Sequence, residues 1–407
     1  VVTEKIEIGF DLTANNQGPF LRLDDPIAGQ LDNSEWTLGG EVFFDVTPRV
    51  RGYSINRGKS RQLDRYSAGG ASVVLDNNDR YFDPTFAASP YYGQIIPRRQ
   101  VRITANNIVQ YYGLVDDWNL DFAPQGDSTA EAVVSDGFTL LAQQTLTGST
   151  ATSQLSGARI NAVLDSADVL WPSDRRNIDA GEQLLVADVI PDDTPVLQYL
   201  QQVETSEFGH LFISKSGDVV FKDRNGVVPN SSSLVVFTDD GSGIRYTGLQ
   251  VVYGSELLYN QVVATNYGAT QVTANDSDSQ DEYGIFTLTQ DGLLMDDASL
   301  IDWAVYNVNQ YSQPEFRFER LDVNLSEITT EQATQVLGLE LGSVVQISFT
   351  PNGIAPAIVK YAEVIAIAHA ADVVAHRVSL GFSTLDYASF VLDDAVFGKL
   401  DTGTLGL

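Results

Sequence analysis

Apolar and polar residues alternate over short runs along much of the chain. Ile6, Ile8 and Phe10 fall on one face of a strand; runs within 36–46 and 50–55 continue the pattern. The clearest alternation spans 71–136. Ala71, Val73 and Leu75 share a face, as do Val101 and Ile103, and further strands are expected over 108–118 and 129–134. Asn106-Asn107 reads as a hairpin turn between two of them. Many short strands with turns between them predict a small antiparallel barrel or sandwich.

Helical spacing enters after Asp136, a candidate cap for Phe138, Leu140 and Leu141. Ser156 is expected to cap a second helix carrying Ile160, Val163, Leu164 and Ala167. Pro195, after Asp193 and Thr194, starts a third with Leu197, Leu200 and Val203, closed by Gly209. A hairpin turning at Lys215-Ser216-Gly217 follows. Strands resume at 234–237, 246–253, 259–265, 285–289, 316–324 and 344–350. Between them lie an acidic loop at 276–282, a helix capped by Asp296 or Asp297, and a short helix from Thr330 that ends at Gly338. The fold class is mainly β with a few helices: a β-rich α+β chain with two antiparallel β-barrel domains and a helix-plus-hairpin module.

The second barrel is inferred from an internal repeat. Val101 and Ile103 match Val345 and Ile347, 244 residues on. Val134 to Phe138 matches Val378 to Phe382 at the same offset, and Leu75 to Asn78 matches Leu321 to Asn324 two residues further out. A chain holding one module twice can make a six-module ring from three copies, which would join a six-fold partner to a three-fold one.

Composition narrows the chemistry. Against 54 acidic residues stand 24 basic ones, a net charge of −30, which disfavours tight general binding to nucleic acid. Cysteine is absent, which excludes disulfides, zinc thiolates and a Cys nucleophile. No run reaches the length of a membrane span. No secretory leader precedes Phe10, and release by lysis or assembly is expected. His210, His369 and His376 are far apart and form no metal-binding or catalytic spacing, so core or surface histidines are expected. The 276–282 carboxylates lack the glycine and distal Glu of a calcium loop, and read as a solvated segment. Asp116 and Asp117 point to opposite faces of a strand and cannot flank one bond. No catalytic residue, cofactor site or metal site is assigned.

The basic residues concentrate instead. Arg57, Lys59, Arg61, Arg65, Arg80, Arg98, Arg99 and Arg102 put eight of the 24 into residues 57–102. Arg65-Tyr66 and Arg80-Tyr81-Phe82 have the look of a single-strand groove, but the overall charge argues for arginines that meet carboxylates of neighbouring subunits.

The same stretch carries a resemblance. Arg57 to Arg61, Leu63-Asp64-Arg65, Ala71 to Asn77, Arg80 to Pro84, Ser89 to Gly93 and Pro97-Arg98-Arg99 resemble a minor tail protein family of long, non-contractile phage tails, especially of phages infecting actinobacteria. Asp117 to Leu120, Asp136 to Phe138, Leu155 to Gly157 and Phe390 to Gly406 extend it. Gly69-Gly70 and the acidic loop depart from it.

The resemblance implies a non-enzymatic virion protein: a tail-tip, or baseplate, hub. Such a hub is a homotrimer whose tube-like barrels form a pseudo-six-fold ring around the DNA passage. Residues 1–136 and 233–385 would be the two barrels, 137–232 the helix-plus-hairpin module, and 386–407 a docking tail inserting Phe390, Leu392, Phe397 and Leu400 into a neighbour. Arg57, Lys59, Arg61, Arg65, Arg98 and Arg99 would be inter-subunit contacts. Implied partners are distal tail and tube proteins, the tape-measure protein and tip or fibre proteins, while DNA passes without specific binding. The alternatives are a distal tail ring or fibre-anchoring adaptor, and a carbohydrate-binding or -cleaving tip protein.

Overall fold

Alternating side chains turn into buried and solvated faces along each long strand. In the computed structural model, which describes residues 2–10, 42–124, 126–226 and 234–385, the first region contributes seven strands. They are β1 (Glu4–Phe10), β2 (Val42–Asp45), β3 (Val50–Gly58), β4 (Ser67–Asp76), β5 (Gln100–Ala105), β6 (Ile108–Asp121) and β7 (Thr129–Ser135). Ile6, Ile8, Val73, Leu75, Val101, Ile103, Ala132 and Val134 all point into one core, which the turn-rich segment after β4 helps to close with Phe82 and Ile95. Asn106 and Asn107 take the left-handed conformation between β5 and β6, as a tight hairpin turn requires.

Helices α1 (Gly137–Gln143), α2 (Ser156–Leu164) and α3 (Val196–Glu207) follow, then the hairpin β8 (His210–Ile213) and β9 (Val219–Lys222). Asp136 caps α1 by accepting from Phe138 N at 3.0 Å. Ser156 differs from expectation. Leu155 occupies the cap position, and the Ser156 hydroxyl is buried and donates to Glu207 Oε2 at 2.7 Å. Short pairings, such as Ser149–Ala151 with Asp188–Ile190, knit the segments between these helices.

The last region holds β10 (Val235–Thr238), β11 (Gly248–Gly254), β12 (Gln261–Asn266), β13 (Gln271–Asn275), α4 (Ser277–Tyr283), β14 (Thr287–Leu293), α5 (Asp297–Tyr311), β15 (Glu315–Asn324), α6 (Thr330–Gly338), β16 (Val344–Phe349), β17 (Ile358–Asp372) and β18 (His376–Leu385). The acidic segment expected as a loop forms α4, because Asp276 caps it through Ser279 N at 3.0 Å. Asp296 caps α5 in the same way, and Leu300, Trp303, Ala304 and Val308 lay one face of that helix on the three-stranded sheet β13-β12-β14, a separate small core. Thr329 and Gln332 form a capping box at α6.

Both regions join a single 13-stranded sheet in the order β11-β15-β18-β17-β3-β4-β7-β6-β5-β1-β2, with β16 on β17 and β10 on β16. The sequence repeat appears here as topology. The run β5-β6-β7-β4-β3 has the same order as β16-β17-β18-β15-β11. The three matched segments begin in equivalent strands but not at one constant offset, since Leu75 faces Ala130 whereas Leu321 faces Leu380. The two regions expected as barrels are thus joined in one sheet through β3 and β17. The first half has its own core, while the second shares a core with α1–α3 and the β8–β9 hairpin.

Candidate functional site

The two halves meet where β3 pairs antiparallel with β17, from Ala366 opposite Gly58 to Asp372 opposite Gly52. The strands can approach because Gly58 has φ +115° and no side chain; a Cβ there would lie 2.2 Å from the Ile365 carbonyl oxygen.

Beneath this seam lies a polar junction of three parts of the chain. Arg57, on β3, is only 4% exposed and donates to Ile213 O at 2.8 Å and Glu340 Oε1 at 2.7 Å. The other Glu340 oxygen accepts from Lys215 N at 2.9 Å, and Lys215 Nζ reaches the carbonyls of Leu337, Gly338 and Leu339 at the end of α6. Lys59 is also buried, with Nζ 4.8 Å above the Tyr66 ring. Burial lowers its pKa, opposed by the carboxylates of Glu363, Glu204 and Asp64. Glu204, on α3, is pushed up to about 7 by burial, against a hydrogen bond from Leu211 N and the charges of Lys59 and Arg65.

At the far end of the seam His369 Nδ1 lies 3.0 Å from His376 Nε2, and His376 Nδ1 lies 3.0 Å from Glu4 Oε1, to which Tyr53 also donates at 3.3 Å. Burial drives the His369 pKa well below the usual histidine range, with neighbouring His376 adding to the shift. His210 Nε2 is 3.4 Å from Glu363 Oε1. All three histidines therefore serve contacts within the chain. Among the described residues no three acidic or histidine side chains are grouped to hold a metal ion.

Along the same seam is an open cleft of about 880 Å³. Small uncharged residues line its floor, with Ser54, Asn56, Ser72, Ala366, Ala368, Ser379 and Gly381; its charged lining comprises Arg57, Lys59 and, at the rim, Arg61, Glu256, Arg317, Glu319 and Arg320. Arg61 pairs with Glu256 at 3.0 Å, and Arg320 bonds Asp322 at 2.8 Å and Ser379 at 3.0 Å. A shallow floor of small residues under a charged rim suits a broad polar surface better than a small apolar ligand.

The basic residues singled out in the sequence thus separate into groups. Arg57 and Lys59, expected at a subunit contact, are enclosed by their own chain and have little area left to offer a neighbour. Arg61, Arg65 and Arg98 are exposed. Arg98 reaches Asp116 at 3.3 Å and Gln143 at 3.0 Å, and Arg99 is held by Gln94. Phe390, Leu392, Phe397 and Leu400 lie outside the described residues. Sequence reasoning missed Glu204, Lys215, Glu340 and Glu363. Only Glu204 carried a signal, as a carboxylate four residues after Leu200 on the core-facing side of α3.

Neither a family model nor a curated protein matches this chain in sequence. Its structure does have relatives. A tail protein from Neisseria meningitidis MC58 superposes with a TM-score of 0.60 at 11% identity, over 86% of this chain and 94% of that one. The 43 kDa tail protein of prophage MuSo2 from Shewanella oneidensis gives 0.54 at 13%, over 85% and 96%. Prophage tail protein gp18 from Listeria monocytogenes EGD-e gives 0.50 at 10%, over 84% and 92%. The chain has the fold of phage and prophage tail proteins along nearly the whole length of each.

Proposed function

We propose that this chain is a structural, non-enzymatic protein of a phage tail tip. Three copies would form a pseudo-six-fold ring that adapts a hexameric tail tube to a three-fold tip and encloses the DNA passage. The observation that carries the reading is the repeated strand order β5-β6-β7-β4-β3 and β16-β17-β18-β15-β11 within one chain of tail-protein fold. Residues 1–136 and 233–385 would supply the ring, 137–232 would project from it, and 386–407 would dock on a neighbouring tail protein through Phe390, Leu392, Phe397 and Leu400. Arg61, Arg65, Arg98 and Arg99 are the basic residues proposed to face partner proteins, such as the tube, the tape measure or a fibre.

The mass of the purified full chain in solution and a symmetry-resolved image of the particle test this reading. Three copies around one axis are expected. Six copies would favour a distal tail ring or a fibre adaptor, and a monomer with no ring in the particle would overturn the proposal.

A further inference from the structure

Within the chain, the two halves are joined by one junction between equivalent sheet edges. On the side away from β18, β17 is used twice: residues 358–363 pair with β16 and residues 366–372 pair with β3. Its counterpart β6 pairs with β5 along 108–114, but residues 117–121 make no backbone bond on that side among the described residues. The counterpart of β3 is β11, which among the described residues pairs with β15 alone. Among the described residues the chain therefore has one filled junction and, at the equivalent places, an unpaired donor edge and an unpaired acceptor edge.

We infer that β11 of one copy pairs antiparallel with the upper half of β6 in the next copy, repeating the β3–β17 union around the ring. The inference rests on the three-copy reading above and adds the strands and their register. Ladder pairings carried through the two halves set Gly52 and Gly58 against Gly248 and Gly254, with Tyr53 and Ile55 facing inward as Leu249 and Val251 do. They likewise set Ile367 against Trp118, both inward. The predicted partners are then Asp117 with Gly254, Asn119 with Val252 and Asp121 with Gln250.

Two further observations agree. Neither edge has a strand paired to it among the described residues, and an unpaired strand edge is a template for a further strand. Phe122 and Tyr253, at the ends of the two edges, are 52% and 69% exposed, an apolar cost that a second copy would remove. A contact between two different surfaces of one chain is head-to-tail and closes only as a ring.

The chain has no cysteine, so a pair introduced by substitution reads the register directly. Asn119→Cys with Val252→Cys, oxidised in the purified trimer or in particles, should give covalent species of two and three chains. Asn119→Cys with Gly248→Cys, on the same face but out of register, should not. A protein that has trimer mass yet fails to cross-link at 119 and 252, or cross-links equally at 248, overturns the junction and leaves the ring intact. Absence of three-copy assembly overturns both. Val252→Lys provides a second arm: it should weaken trimerisation at least tenfold while leaving the melting temperature of the monomer unchanged, and an undiminished trimer would count against the pairing.

Discussion

Arg57 and Arg61 are four residues apart and carry the same charge, but the fold uses them in opposite ways. Arg57 is enclosed and ties β3 to the β8–β9 hairpin and to Glu340, so Arg57→Ala removes a charged donor from the Ile213 carbonyl and from a carboxylate that keeps only its bonds from Lys215 N and Leu341 N. A loss of about 2 kcal/mol is expected in urea unfolding. Arg61 and Arg65 are exposed, and the double change Arg61→Glu with Arg65→Glu should move stability by no more than ~0.5 kcal/mol while impairing incorporation into particles. Normal incorporation would remove them from the assembly surface. Glu204 sets a pH dependence. Its carboxyl binds a proton more tightly folded than unfolded, rising from the ordinary 4.5 to about 7. The stability it contributes is full below pH 4.5 and is lost as pH rises to about 7. Glu204→Gln should abolish that decline and raise stability at pH 8 by on the order of 3 kcal/mol. An unchanged pH profile of the melting temperature would show that Glu204 titrates normally.

Individual elements are largely legible in the sequence because each is specified by local spacing and caps. Asp136, Asp296 and the Asn106-Asn107 turn act as expected, and the β-rich α+β class follows from the alternation. The acidic segment reads as a loop only while its charge outweighs its cap: Asp276 followed by Ser279 is an N-terminal helix signal. Ser156 shows the converse, since a serine at a helix start can be a buried partner for a distant Glu207. Which strands meet across hundreds of residues has no local signature. The β3–β17 ladder depends on Gly58, whose need for a left-handed backbone and an absent Cβ arises only when Ile365 arrives. Gly58→Ala should therefore cost roughly 3 kcal/mol and loosen the seam first. Hydrogen exchange should show early loss of protection in β3 and in 366–372, with protection of β12 and α5 retained. Uniform loss across all three would mean the seam is not a separate structural joint.

For the whole molecule, net charge and the repeat act together. A ring of three copies would carry three times a net charge of −30 around a passage for an equally anionic polymer. Long-range repulsion then keeps DNA from adhering, and the small uncharged floor of the seam, with Ala366, Ala368, Ser379 and Gly381, offers few groups to hold a phosphate. The cleft's basic residues are the exception, but Arg57 is paired with Glu340, Arg61 and Arg317 with Glu256 and Arg320 with Asp322, while Lys59 is buried. A protein that binds DNA through Lys and Arg loses affinity steeply as salt rises, because each neutralised phosphate releases a counterion. This chain should behave otherwise. Titrated with duplex DNA at about 50 mM salt, the assembled trimer should show no binding, with no slope between about 50 and 200 mM. Reversing the rim carboxylates, Glu256→Lys with Glu319→Lys, should create weak, salt-dependent retention if the cleft faces the passage. A trimer that already binds duplex DNA with a steep salt slope would overturn the non-adhesive passage and return the basic stretch to a role in contacting nucleic acid.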